Sequence, residues 1–144
     1  MQSNPQPSPP EYGTPISLAL AKQVMQAAEA EAIANHWPMV IAIVDTSGHL
    51  VLFHKLDNAQ LGSVRVAQAK AETSVKFKRP TKSFEDAVAA GGVGWRILAM
   101  DNVCPLEGGV PLFQGNKIIG AIGVSGMHST QDAQVAVAGA KALQ

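Results

Sequence analysis

The 144-residue chain balances 11 Lys+Arg against 11 Asp+Glu, and 47% of its residues are hydrophobic. That apolar fraction supports one real core and excludes wholesale disorder, while the charge balance excludes binding nucleic acid or an anionic membrane through bulk electrostatics. The lone cysteine, Cys104, excludes an intramolecular disulfide and a zinc site built from several thiolates.

The first ten residues hold four of the nine prolines, with neither the basic nor the apolar region of a secretory signal. No later segment is apolar enough over enough residues to span a bilayer. This reads as a flexible Pro-rich tail over 1–13, a single domain over 14–144 and a cytoplasmic location. Thr14-Pro15 predicts a helix start, and Leu18, Ala21, Met25, Ala28 and Ala32 recur at helical spacing until about Asn35. Met39–Val44 is apolar on both faces, as in a central covered strand. After the Asp45–Gly48 turn, Leu50–Leu56 predicts a returning strand and hence a hairpin.

Ser63 is placed to cap a helix running to about Val75, with Val64, Ala67, Ala71 and Val75 inward. A basic stretch, Lys76–Arg79, leads to Pro80. Ser83 is read as the cap of a short helix ending at Gly91-Gly92, and Trp95–Met100 fits either a strand or a helical turn. Gly109–Gln114 and Lys117–Ser125 flank Gly115-Asn116, a hairpin signal. Ser129 or Thr130 then caps a last helix reaching Leu143, with Ala133, Ala136 and Val137 inward. Strands joined by short turns are antiparallel, so the class is α+β rather than doubly wound.

The glycines of Gly120-Ala-Ile-Gly-Val-Ser-Gly126 lack dinucleotide spacing; in a strand they let a helix or another backbone approach closely. The loop Ser125–Thr130 opens onto a helix, so Ser125, Gly126 and His128 could hold a carboxylate or phosphate on free N–H groups, or simply cap the helix. No H-x-x-x-H or H-E-x-x-H pattern joins His36, His49, His54 and His128, and no metal site is read. His54 alternates with Leu50, Leu52 and Leu56 on one side of its strand. Half-buried there, it is either a ligand for haem iron, a proton shuttle or a core histidine bonded to backbone. His36 fits a capping role at a helix end.

Asp57-Asn58 follows the second strand, where polar loop groups either bind ligands or make turns. Lys70 shares a helix flank with Ser63, Val66 and Ser74, from which it either reaches a pocket carboxylate or stays solvated. Glu107, before Gly108-Gly109, is a candidate general base if desolvation raises its pKa. Cys104 reads as a small apolar residue, not a nucleophile, for no basic activator stands nearby in sequence.

Several segments together resemble the GlcG/HbpS family, which includes the C-terminal domain of PduO-type proteins. They are Ile41–Asp45 with Gly48 and Leu50, Leu56-Asp57-x-Ala59, Ala69-Lys70-Ala71 with Thr73, Arg79-Pro80-Thr81, Gly108–Pro111 and Ile119–Gly126. The resemblance covers roughly residues 16–143. It implies a profilin-like antiparallel sheet of about five strands flanked by helices, homo-oligomers, and binding or degradation of haem. The sequence departs from the family pattern at Lys55, where arginine is frequent, at Asn58, where glycine is usual, and at Met127-His128, which replaces a glycine-containing loop.

Three functions follow. The first is binding of haem or another small ligand, with His54, His128, Asp57, Ser125 and Gly126 contributing and no other cofactor. The second is proton transfer on a carboxylate- or carbonyl-bearing metabolite by Lys70, Glu107 and His128. The third is assembly without chemistry.

Overall fold

The computed structural model describes residues 8–144; residues 1–7 of the expected tail lie outside the described residues. Helix α1 (Leu18–Ala34) is followed by strands β1 (Val40–Asp45) and β2 (Leu50–Lys55), and then by helices α2 (Ser63–Phe77) and α3 (Lys82–Ala89). A 3-10 helix (Gly92–Ala99) leads to β3 (Gly109–Gln114), β4 (Lys117–Ser125) and α4 (Ser129–Lys141). The sheet runs β2-β1-β4-β3, antiparallel throughout. The class is therefore α+β as expected, but the sheet has four strands, not about five.

Two segments could have supplied a fifth strand, and each fails for a local reason. Trp95–Met100 follows Gly91 and Gly92, both at positive φ, and winds into the 3-10 helix with Val93, Trp95 and Leu98 turned to solvent. Glu11–Ile16 runs beside β4 beyond the end of β1 but forms a single bridge, Tyr12 to Ile118. Pro15 has no N–H with which to extend that ladder. Tyr12 and Gly13, expected in the tail, thus belong to the fold, with the Gly13 N–H donating to the Ile118 carbonyl at 2.8 Å.

Strand β1 is central because neither face is polar. Ile41 and Ile43 join Val24, Met25 and Ala28 of α1 and Val135 and Ala136 of α4 in the main core. Val40 and Ala42 face Ala67 of α2. Helices α1 and α4 cover one face of the sheet and α2 the other. Two glycines set the spacing. A Cβ on Gly123 would strike the backbone of Ala67 and Ala71, so β4 and α2 are in backbone contact. One on Gly139 would meet Ile122, Ala28 and Val24, where α4 crosses α1 over the sheet.

Helix boundaries shift where tertiary bonds compete with local capping. The Ile16 N–H donates to the Ile119 carbonyl at 2.8 Å, which keeps residues 14–16 out of the helix, so α1 starts later. Its cap is Ser17, whose Oγ accepts from the Leu20 N–H at 3.2 Å. Gly62, not Ser63, occupies the cap position of α2 and Thr81, not Ser83, that of α3. Helix α4 turns Asp132, Val135, Ala136 and Gly139 inward; of the three residues expected there, only Ala136 is fully buried and Val137 is exposed.

Candidate functional site

The sequence candidates fall into two places. The first is an open groove of about 840 Å³ between the end of α1 and the β2–α2 connection, lined by Glu29, His36, Trp37, Phe53, His54 and Asp57 among others. The pleat of β2 turns His54 toward α1, where its Nδ1 lies 3.1 Å from Glu29 Oε1. The two side chains are 42% and 31% exposed, so the pair stands at the groove wall, within reach of solvent. Two left-handed residues shape the rim: His36 (φ 59°), ending α1, and Asn58 (φ 66°), closing the turn after Asp57. The groove thus joins His54 and Asp57, which were expected at a site, with Glu29 and His36, which were not.

A carboxylate on one imidazole nitrogen fixes the ring's orientation and tautomer. His54 Nε2 is consequently the nitrogen left to meet a ligand. Trp37, Phe53, Ile33 and Leu56 supply apolar wall, while Lys55 and Asp57 supply opposite charges at the edge. Such a mixture suits a largely apolar ligand oriented by a few polar contacts. Among the described residues no group of three or more His, Cys, Asp or Glu side chains converges on a point where a metal ion could be held.

The second place is buried. Lys70 and Asp132 side chains are 2% and 4% exposed. Lys70 Nζ donates to Asp132 Oδ2 and to the Val124 carbonyl, both at 2.9 Å. Asp132 Oδ1 in turn accepts from the Met127 N–H at 3.0 Å. Burial pushes the Asp132 carboxyl above its ordinary value, and the Lys70 ammonium and the Met127 and Gly126 N–H groups pull it partly back. The loop read either as an anion holder or as a simple helix cap thus holds the chain's own carboxylate. Ser125, also in that loop, is buried and donates to Ser63 Oγ at 3.0 Å.

Lys70, Glu107 and His128 do not share a cleft. Lys70 is neither solvated nor facing a pocket; it is enclosed by Asp132 and Val124. Glu107 is half-buried, its N–H donating to Glu85 at 3.3 Å. His128 is exposed and caps α4, with its N–H donating to Gln131 Oε1 at 3.2 Å. Gly126 lies against the backbone of Pro38 and Met39, where a Cβ would overlap, and so stands behind the groove wall rather than in it. Cys104 is half-buried, and burial holds its thiol above the usual cysteine range.

Asp132 went unnoticed in the sequence, yet a signal existed: it opens the inward stripe Asp132, Val135, Ala136, Gly139 at helical spacing. Lys70 likewise falls on the buried stripe Ser63, Ala67, Lys70, Ala71, Ser74. A charge on a buried stripe announces that a partner is needed, not which one. Glu29 carried no comparable signal, because it lies off the buried stripe Ala21, Val24, Met25, Ala28, Ala32 of α1.

Residues 16–141 match the family model described as "Haem degrading protein HbpS-like". The chain belongs to this family. The resemblance carried by the motifs is thereby confirmed. "Protein GlcG" of Escherichia coli (strain K12) is 37% identical over 110 residues, covering 76% of this chain and 81% of that one. Klebsiella pneumoniae protein ORFY superposes with a TM-score of 0.85 at 26% identity, covering 99% of this chain and 96% of that one. PduOC, solved as a heme complex, superposes with a TM-score of 0.80 at 28% identity, covering 90% and 95%.

Proposed function

We propose that this HbpS-like chain binds haem, or a small ligand of similar apolar character, in the groove beside His54. One observation carries the reading: the His54 imidazole is held by Glu29 through Nδ1, as a histidine that offers Nε2 to a metal is usually held from behind. His54 Nε2 would hold haem through its iron, and an apolar wall would cover the ring. Trp37, Phe53 and Ile33 provide that wall. The solved heme complex of PduOC supports the same class of ligand. Gly126 and Ser125 act behind the site by backing Pro38 and anchoring the end of β4. The enclosure of Lys70 by Asp132 favours binding over proton transfer by Lys70, Glu107 and His128.

Titration with haem tests this. A sharp Soret band is expected for the wild-type chain and should be lost in His54→Ala. Glu29→Gln should weaken affinity by roughly 10–100-fold, the usual effect of removing the group behind a metal-bound histidine. A Soret band that persists unaltered in His54→Ala sinks the assignment.

Self-association is part of the same proposal. Val93, Trp95 and Leu98 on the 3-10 helix are 76%, 64% and 64% exposed, an apolar grouping that a solitary soluble domain rarely leaves uncovered. Trp95→Glu is expected to shift the sedimentation coefficient from oligomer to monomer while leaving the circular dichroism spectrum unchanged. A wild-type chain that sediments as a monomer at all concentrations refutes this part.

A further inference from the structure

Four cations crowd the junction of α2 and α3 in a chain whose charges cancel overall. Lys76, Lys78, Arg79 and Lys82 fall within seven residues, and no acid stands between Glu72 and Glu85. Part of this is helix chemistry: cations near the end of α2 complement its negative pole, and Lys82 pairs with Asp86 at 3.0 Å. The other three form no ion pair among the described residues.

Two of those three are nevertheless held in place. Lys78 occupies a left-handed position (φ 57°) that sets its ammonium 4.6 Å from the centroid of the Tyr12 ring. Tyr12 is fixed in turn by its hydroxyl, which donates to the Val75 carbonyl at 2.6 Å. Arg79 Nε donates to the Phe77 carbonyl at 2.9 Å, and its guanidinium lies 5.5 Å from the Phe84 ring centroid. Phe84 is wedged edge-on against Phe77. Aromatic faces and carbonyls orient these cations without cancelling their charge. A groove of about 590 Å³ runs beside them, lined by Pro9, Pro10, Lys76, Lys78, Arg79 and Ser83.

We propose that this groove is a second binding site, for a small multiply charged oxyanion of the phosphoryl or sulfuryl type. Arg79 keeps terminal N–H groups in a planar fork suited to two oxygens of such an anion. Lys78 adds a point charge and the Ser83 hydroxyl a donor, while the Lys76 stem lines the groove and its ammonium lies beside Gly48. The pre-ordering by Tyr12 and Phe84 lowers the side-chain entropy lost on binding. Glu72 on one side and Glu85 and Asp86 on the other bound the positive field in sequence, which together with the neutral chain opposes an extended polyanion. The site is separate from the His54 groove, and its ligand carries charge where the other carries apolar surface.

Isothermal titration of the full chain at low ionic strength, with sodium pyrophosphate, orthophosphate and sulfate in turn, tests the proposal. Saturable binding of pyrophosphate is expected, weakened by about tenfold or more in Arg79→Gln and in Lys78→Gln, as for loss of a charge-assisted hydrogen bond. Sulfate binding more tightly than either phosphate assigns the sulfuryl source; the reverse order assigns the phosphoryl one. Haem titration of the same variants should be unaltered. Should Arg79→Gln fail to fold, Lys78→Gln carries the test by itself. The proposal is overturned by absence of saturable binding, by equal affinity in the variants, or by an oligonucleotide series whose affinity grows with length and exceeds that of pyrophosphate.

Discussion

Lys70→Ala is expected to destabilise the chain by about 3–5 kcal/mol, the cost of leaving one member of a buried ion pair uncompensated. The pair ties α2, on one face of the sheet, to α4, on the other, past the Val124 carbonyl. Alanine would leave Asp132 a buried carboxylate retaining only the Met127 and Gly126 N–H groups. Urea unfolding at neutral pH measures this, and an unchanged midpoint in Lys70→Ala would refute it. Replacing both members by apolar residues of similar volume should cost far less, since neither charge is then stranded.

The pH dependence follows from the raised Asp132 carboxyl. Between its ordinary range and its raised value, the folded chain keeps a proton that the unfolded chain has lost. Stability from this group is thus greatest below the ordinary carboxylate range, falls as pH rises through that window, and is constant above it. Removing Lys70 takes away the ammonium that pulls the carboxyl down and so widens the window. The deficit of Lys70→Ala should accordingly be smaller at pH 4 than at pH 7.

Gly123→Ala should cost about 3 kcal/mol, at the upper end for overpacking, because the new Cβ would overlap the Ala67 carbonyl oxygen and crowd the Ala71 amide and Cα. Backbone atoms in a helix and a central strand have no rotamer by which to yield. Gly62→Ala makes the control. Gly62 sits at φ −59° and ψ −27°, with nothing within 4 Å of an added Cβ. Alanine fits that conformation and should stabilise by roughly 0.4–1 kcal/mol through the unfolded chain. Thermal unfolding of the two variants side by side distinguishes close approach at Gly123 from a general penalty on losing glycine.

Much of the fold was legible along the chain because the signals are local. Met39–Val44 is apolar at every position, as in a strand covered on both faces, and it supplied β1, one of the two interior strands. The turns at Asp45–Gly48 and Gly115-Asn116 gave both hairpins. The candidate sites were legible in part: His54 and Asp57 do meet in one groove, whereas Lys70 was read only as a flank residue of its helix and Asp132 not at all.

The periodic pattern and the turn residues thus determined, by themselves, the order of elements, the antiparallel class and, through the motifs, the family. Tertiary structure alone decided the strand count, the starts of the helices, the Glu29 partner of His54 and the Asp132 partner of Lys70. The physical reason is range. Burial periodicity and turn chemistry act over a few residues, but a hydrogen bond or ion pair between elements depends on how the sheet brings together residues 25 or 62 positions apart.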